Sequence, residues 1–170
     1  MWLNSTGKQN QSFKSLFAQD LQNYRDGEYT DWENDKQGCL ALIVLCDQLA
    51  PRMYKHTAQA YAYEELALGL SKKLLMTYGG ATQYRHYERL IVLEPLAHSE
   101  DQSDVRQAIT GLVKLNTEME SKGIAGLNIR RHVKLAQERE ILLQRFGRDP
   151  NRNNALGRKS TQAELDYLQE

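Results

Sequence analysis

Hydrophobic residues recur every three or four positions along most of the chain, which is the spacing of amphipathic α-helices. The first such segment covers residues 13–24, with Ser12 as its predicted N-cap and Gly27 beyond its end. Residues 39–48 are apolar without a clear period. Their leucine and alanine content, together with Pro51 just beyond them, predicts a buried helix rather than a buried strand.

Capping residues and helix breakers divide the middle of the chain into further helix-length segments. Residues 57–78 predict a long helix that begins at Thr57. Residues 82–94 predict another helix, which we expect to stop at Pro95.

The last part of the chain carries three further capping signals. Ser99 is the predicted N-cap of a helix whose first turn is acidic. Residues 127–146 predict a long helix with Gly147 at its C-terminal cap. Thr161 and Glu164 have the spacing of a capping box, which predicts a short final helix.

The fold class predicted from this pattern is all-α, because no segment alternates polar and apolar residues as a half-buried strand does. About seven helices with short connections fit either a compact bundle or a tetratricopeptide-like right-handed array. No sequence repeat decides between these two arrangements. We expect one domain over residues 1–170, with residues 1–11 as a flexible N-terminal segment.

Composition narrows the classes of partner. The chain has 170 residues, with 22 basic and 22 acidic side chains and no net charge. This balance gives no global reason to expect nucleic acid or an anionic membrane as a partner. The longest apolar run, residues 39–46, is too short to cross a bilayer. We therefore expect a cytoplasmic protein.

The two cysteines, Cys39 and Cys46, lie in one segment. In a helix they would be about 10 Å apart, which is too far for a disulfide. Neither has a neighbouring histidine or a CxxC spacing, so a nucleophilic or redox role is not favoured.

Residues 145–159, here called the arginine loop, form the strongest candidate for binding chemistry. The loop holds five cations against one acid, Asp149, and its glycine, proline and asparagine content predicts an irregular structure. Arginine forks in such a loop suit a carboxylate or a phosphate. The same arginines could instead pair with the acidic segment 26–35 or cap helix C-termini, so a structural role stays open. The cationic residues are Arg145, Arg148, Arg152, Arg158 and Lys159.

A second candidate is the string of polar residues from His98 to Asp101. His98 could act as a general base, or share a metal with Asp101. Ser99 and the two acids, Glu100 and Asp101, fit a helix start equally well, so we predict neither a metal nor a cofactor. The other histidines, including His132, fit no ligand spacing, and we expect them to be packed or on the surface.

Asp47 and Gln48 end the most apolar segment, where a carboxylate is costly to bury unless it is paired. We expect Asp47 to pair with an arginine, either Arg52 or one from the arginine loop.

Four strings of residues, taken in order, resemble an uncharacterised bacterial family, domain-of-unknown-function family 924. The strings are residues 47–52, 95–101, 145–153 and 156–161, and the resemblance covers about residues 13–168. It implies an all-helical, tetratricopeptide-like arrangement, and it implies no activity.

The chain departs from the family pattern at three places. One extra residue follows Asp47 and Gln48, within the string from Leu49 to Met53. Arg139 and Asn151 stand where the family typically has histidines. The resemblance therefore suits binding better than a histidine-dependent acid–base reaction.

Three functions remain open from the sequence. The first is a helical protein that binds a small anionic molecule at a polar site. The second is an enzyme with His98 as general base and an arginine-held substrate. The third is a helical-repeat module that binds a protein partner or a second copy of the chain. The predicted ligand-binding residues are Asp47, Gln48, Arg52, His98, Ser99, Glu100, Asp101, Arg145, Arg148, Arg152, Asn153 and Arg158.

Overall fold

The computed structural model describes residues 7–77 and 84–170, and every regular element in these two ranges is a helix. The all-α prediction is confirmed. The described residues fall into two compact units, one within Met1–Gly80 and the other within Ala81–Glu170. The single domain and the tetratricopeptide-like array stay predictions.

The helices of the first unit bury a mainly aliphatic core that also contains Tyr24 and Tyr63. They are α1 (Gly7–Arg25), α2 (Lys36–Ile43), α3 (Ala50–Met53) and α4 (Glu64–Thr77), with 3-10 turns at Thr30–Asn34 and Ala58–Ala60. A π-helical segment, Val44–Leu49, joins α2 to α3 without a break. The fully buried side chains of this unit include Leu21, Leu42, Ile43, Tyr63 and Leu74.

The buried helix predicted over residues 39–48 is confirmed, since α2 and the π-helical segment cover it. Asp35 caps α2 by accepting hydrogen bonds from the N–H groups of Gln37 and Gly38. A Cβ at Gly38 would lie 2.2 Å from the carbonyl oxygen of Trp32, so only glycine fits this approach of α2 to the preceding turn.

Two predicted helix starts in the first unit are wrong. Helix α1 begins at Gly7, so Ser12 and the rest of residues 7–12 lie inside it. The flexibility expected of residues 1–11 stays a prediction. Residues 1–6 lie outside the described residues. Thr57 precedes only a 3-10 turn and donates its hydroxyl to the Tyr54 carbonyl, while α4 begins at Glu64.

Helix α6 is the centre of the second unit. The helices there are α5 (His86–His98), α6 (Gln102–Ser121), α7 (Ile129–Phe146) and α8 (Gln162–Tyr167), with a 3-10 turn at Pro150–Arg152. Helix α6 packs against both α5 and α7, and α5 also contacts α7. At Gly111 of α6, a Cβ would meet the Leu93 side chain of α5 at 2.6 Å, so the glycine permits close packing. Because α2, the π-helical segment and α3 are continuous, the described ranges hold seven separate helical bodies, as predicted.

Two boundary predictions in the second unit are wrong and two are confirmed. Pro95 lies inside α5, which continues to His98, and residues 82–83 lie outside the described residues. Asp101, rather than Ser99, is the N-cap of α6. Gly147 has φ 72° at the C-terminal cap of α7, and Thr161 forms a capping box with Glu164. Within the described ranges, no helix is both long enough and apolar enough to span a membrane.

Candidate functional site

The arginine loop is held by carboxylates of its own unit. Arg148 donates two hydrogen bonds to Glu164, at 2.6 and 2.8 Å, and a third to the Lys159 carbonyl. The Arg148 guanidinium and, after it, the Thr161 N–H lower the pKa of Glu164 to about 2. This pair fixes the short helix α8 to the end of α7.

A second pair joins the loop to the start of α6. Arg158 donates to both oxygens of Glu100, at 2.7 and 3.0 Å, and to the Asp149 carbonyl. The Asp149 N–H donates to Glu100 at 2.8 Å. Burial alone would raise the pKa of Glu100, but these donors bring it below the ordinary value.

Arg152 is the most buried arginine of the loop, with 5% of its surface exposed. Its Nη2 donates to the His98 carbonyl at 2.6 Å, and its Nε lies 3.7 Å from Asp149. Arg139 of α7 donates to the same Asp149 carboxylate at 2.9 Å. Two of the predicted ligand-binding residues, His98 and Arg152, are therefore in contact, through the His98 backbone carbonyl.

Two other predicted residues of the loop make local contacts. Arg145 stacks over the Phe146 ring at 4.8 Å, with Tyr167 at 6.0 Å. Asn153 is buried and donates to the Ser160 hydroxyl. The arginine loop therefore forms a structural network of hydrogen bonds and ion pairs, which connects the α5–α6 junction to the segment after α7.

A cavity of about 280 Å³ lies beside this network, and we call it the histidine cleft. Its walls come from α5, α7, α8 and the segment after α7. The polar lining residues are Glu94, His98, His132, Glu138, Arg139, Asp149 and Asn151, and the others are Ala97, Leu135, Ala136, Leu142 and Tyr167.

One carboxylate in the cleft holds two histidines from different helices. Glu94 Oε1 lies 2.8 Å from His132 Nδ1, and Glu94 Oε2 lies 3.5 Å from His98 Nε2. The exposed fractions of these side chains are 13% for Glu94, 16% for His132 and 34% for His98. An ionised Glu94 carboxylate can only accept, and such a contact requires the hydrogen on His132 Nδ1, which leaves Nε2 as the acceptor in the neutral ring.

Helix geometry explains why these side chains share the cleft. Glu94 and His98 are four residues apart and therefore lie on one face of α5. His132, Ala136 and Arg139 recur at helical spacing on α7 and line the same wall. Contact between α5 and α7 then brings the two sets together.

Ser99 and Asp101, both predicted ligand residues, act at the start of α6. Asp101 accepts hydrogen bonds from the N–H groups of Ser103 and Asp104. The Ser99 hydroxyl accepts from the Asp101 N–H and donates to the Asp104 carboxylate. Of the string from His98 to Asp101, only His98 lines the cleft.

Asp47, Gln48 and Arg52 belong to the first unit, whereas the residues that line the histidine cleft belong to the second. The Gln48 amide donates to buried Asp47 at 2.5 Å, and Arg52 donates to the Gln48 carbonyl at 2.5 Å. Burial lowers the pKa of Arg52, and the Asp47 charge opposes that effect. Asp47 and Arg52 therefore interact electrostatically, with Gln48 bonded to both.

Sequence reasoning missed Glu94 and His132 as site residues. The one local signal was the spacing of Glu94 and His98, since His132 is distant in sequence and its role depends on helix packing. Arg139 was noted only as a departure from the family pattern. In the described part of the chain, no group of three or more His, Cys, Asp or Glu side chains is arranged to hold a metal ion.

The helices and the cleft define an all-α protein with a polar cavity on one unit. The chain belongs to a family described as a bacterial protein of unknown function (DUF924), whose family model matches residues 1–170. The resemblance seen in the sequence is thereby confirmed.

One solved structure similar to this chain is that of a protein of unknown function from Agrobacterium tumefaciens. The two share 24% identity with a TM-score of 0.79, over 98% of this chain and 87% of the other. At that identity the likeness concerns the fold alone. No curated protein matches the chain.

Proposed function

We propose that the histidine cleft binds a small polar molecule and exchanges a proton with it through His132. The observation that carries this proposal is the 2.8 Å contact between Glu94 and His132 Nδ1 at the wall of a cavity. A carboxylate that fixes one ring nitrogen leaves the other as the proton acceptor, which is how many general bases are oriented. The ligand would approach Nε2.

The size and lining of the cleft support a small ligand. About 280 Å³ is near the lower end of the volumes of ligand pockets, so the cleft suits a small molecule rather than a drug-sized one. Polar side chains lie beside alkyl groups in the lining, and this combination can orient a ligand that has one polar end.

The proposal keeps the enzyme alternative and moves the base from His98 to His132. His98 contacts the same carboxylate at a longer distance, 3.5 Å, and we assign it the role of a second proton carrier. The anion-binding hypothesis depends on arginines that carboxylates already hold. Arg139 on the cleft wall pairs with Asp149, and Arg148 and Arg158 pair with Glu164 and Glu100. The helical-repeat interaction module stays a prediction.

The test is the tautomer and accessibility of His132. Ring ¹⁵N NMR of the full chain should find His132 with its hydrogen on Nδ1, whereas free histidine favours Nε2. Diethyl pyrocarbonate, which acylates accessible neutral imidazole nitrogens, should modify His132 in the folded protein.

Glu94→Gln should weaken the Nδ1–H preference of His132, because an amide can donate to Nδ1 as well as accept from it. Glu138→Gln is the matched control, because Glu138 also lines the cleft but pairs with Lys134 rather than a histidine. A His132 ring protonated on Nε2, or one unreactive to diethyl pyrocarbonate in the folded protein, would contradict the proposal.

A further inference from the structure

We infer that the molecule bound in the histidine cleft is a small amine, held as its ammonium ion. This inference deepens the proposed function, because it names the ligand class for the same cleft. It rests on three properties of the lining: its hydrogen-bonding capacity, its charge and its apolar portion.

The cleft has more hydrogen-bond acceptors to offer than donors. His132 Nε2 accepts once Nδ1 is held by Glu94, and the carboxylates of Glu94 and Glu138 accept by their nature. Arg139 and Asn151, which carry donor groups, both bond to Asp149, and the lining also contains the Tyr167 hydroxyl and the His98 ring. An acceptor-rich site is complementary to a ligand that donates, and an ammonium group has up to three donors and no acceptor.

The charge that favours a cation in the cleft is that of Glu94, since the other two lining carboxylates, Asp149 and Glu138, are paired with cationic side chains. Three carboxylates and one guanidinium line it. Arg139 and Arg152 face Asp149, and Lys134 lies 3.6 Å from Glu138 at the rim. Glu94 is paired with His98 and His132, which carry positive charge only when they are protonated.

The charge on Glu94 determines which ligand can fill the cleft. A bound molecule excludes water from this carboxylate, which is only 13% exposed. An anion there would add repulsion, and a neutral alcohol would replace the water only in part. A cation replaces the lost solvation directly, as opposite charges do in partly buried sites.

The apolar part of the lining indicates what is attached to the ammonium nitrogen of the ligand. Ala97, Leu135, Ala136 and Leu142 supply alkyl surface beside the polar groups. In a volume of about 280 Å³, this surface fits a short alkyl chain attached to the nitrogen. A primary aliphatic amine has both parts.

The chemistry proposed for His132 fits this ligand class. An ammonium N–H donates a hydrogen bond to Nε2. Passing the proton along this bond gives a neutral amine and an imidazolium only transiently, because an alkylamine is the stronger base and the ammonium form is the one held. Only the N–H bond breaks and only the new N–H bond forms, and no electrons are transferred. Glu94, in contact with Nδ1, stabilises the imidazolium.

The experiment compares three probes of similar shape and different charge. We would titrate the full chain at pH 8 with n-butylamine, n-butanol and sodium butyrate at equal ionic strength, and follow amide and ring shifts by NMR. We expect n-butylamine to bind at least tenfold more tightly than either of the other probes, with shifts centred on Glu94 and His132.

Two variants test whether the charge on Glu94 causes the preference for n-butylamine. Glu94→Gln keeps the shape of the side chain and removes its charge, and it should weaken n-butylamine binding at least tenfold. In Glu140→Gln the binding should change less than threefold, because Glu140 lies on α7 outside the cleft lining and pairs with Arg106.

Butyrate as the tightest ligand would overturn this inference and favour the anion site. Equal binding of the three probes, or binding of none, would overturn it as well. The two proposals can fail separately. Amine binding with His132 protonated on Nε2 removes the proton transfer only, and the expected tautomer without amine binding removes the ligand class only.

Discussion

Glu94 illustrates which residues a single sequence can and cannot assign to a site. His98 stands out in the sequence because it belongs to a distinctive polar string, and it does line the cleft. Glu94 precedes it by one helical turn, and His132 lies on another helix, so their 2.8 Å contact exists only after α5 and α7 have packed. The spacing of residues within one helix does not predict a contact between two helices. The charge of the arginine loop suggested a ligand site, but Arg148, Arg152 and Arg158 form ion pairs within the protein.

At the same scale, the two thiols give a direct prediction. Cys39 and Cys46 are fully buried, and burial raises the pKa of both, that of Cys46 to about 12. Because the thiolate is the reactive form, neither should react with iodoacetamide at pH 8 in the folded protein. In urea both should be alkylated, as mass spectrometry would show. A thiol labelled under native conditions at the rate seen in urea would contradict the burial.

At the scale of elements, the sequence predicted where helices exist better than where they begin and end. Apolar periodicity located the helical segments, because the buried face of a helix must repeat with the helical period. The ends depend on contacts that the periodicity does not contain. Pro95 is expected to end a helix, yet it is buried within α5, where packing against α6 retains the helical backbone. Ser99 and Asp101 both have capping side chains, and only the backbone path shows that Asp101 is the cap.

The cap of α6 can be tested by substitution. Asp101→Ala removes the acceptor for the Ser103 and Asp104 N–H groups and should cost about 0.5–2 kcal/mol of unfolding free energy. Asp101→Asn is the control, since asparagine caps a helix about as well as aspartate. Urea denaturation followed by circular dichroism would measure both. If the alanine and asparagine variants were equally stable, Asp101 would not be the effective cap.

For the whole molecule, the pair of Arg148 and Glu164 links stability to pH. The pKa of Glu164 is about 2 in the folded protein and near the ordinary glutamate value of about 4.3 in the unfolded chain. The unfolded state therefore binds the proton first as pH falls. The stabilisation is fully present above about pH 5 and is lost progressively as pH approaches 2.

Glu164→Gln isolates this contribution. The variant should be less stable than the parent at pH 7, and the difference should shrink as pH falls from 5 towards 2. Urea denaturation at several pH values would measure it. A difference that stays constant over this range would show that Glu164 does not titrate with folding.

The similar solved structure shows a shared fold and does not indicate a function. The likeness to the Agrobacterium tumefaciens structure covers 98% of this chain, so the helical architecture is shared. An architecture of this kind can carry many activities, and the side chains of the site decide among them. Here those side chains include Arg139 and Asn151, which line the same cleft as His98 and His132 and stand where the family resemblance implies histidines.

The π-helical segment from Val44 to Leu49 can accommodate one inserted residue. The Ala50 N–H bonds to the Leu45 carbonyl, five residues back, so this turn holds one more residue than an α-helical turn. The family resemblance places one additional residue just after Asp47 and Gln48. A wider turn absorbs such an insertion locally, so Cys39 and Leu42 before it and Met53 after it all stay buried. A relative shorter by one residue here would be expected to form an uninterrupted α-helix over the same stretch, with the same residues facing the core.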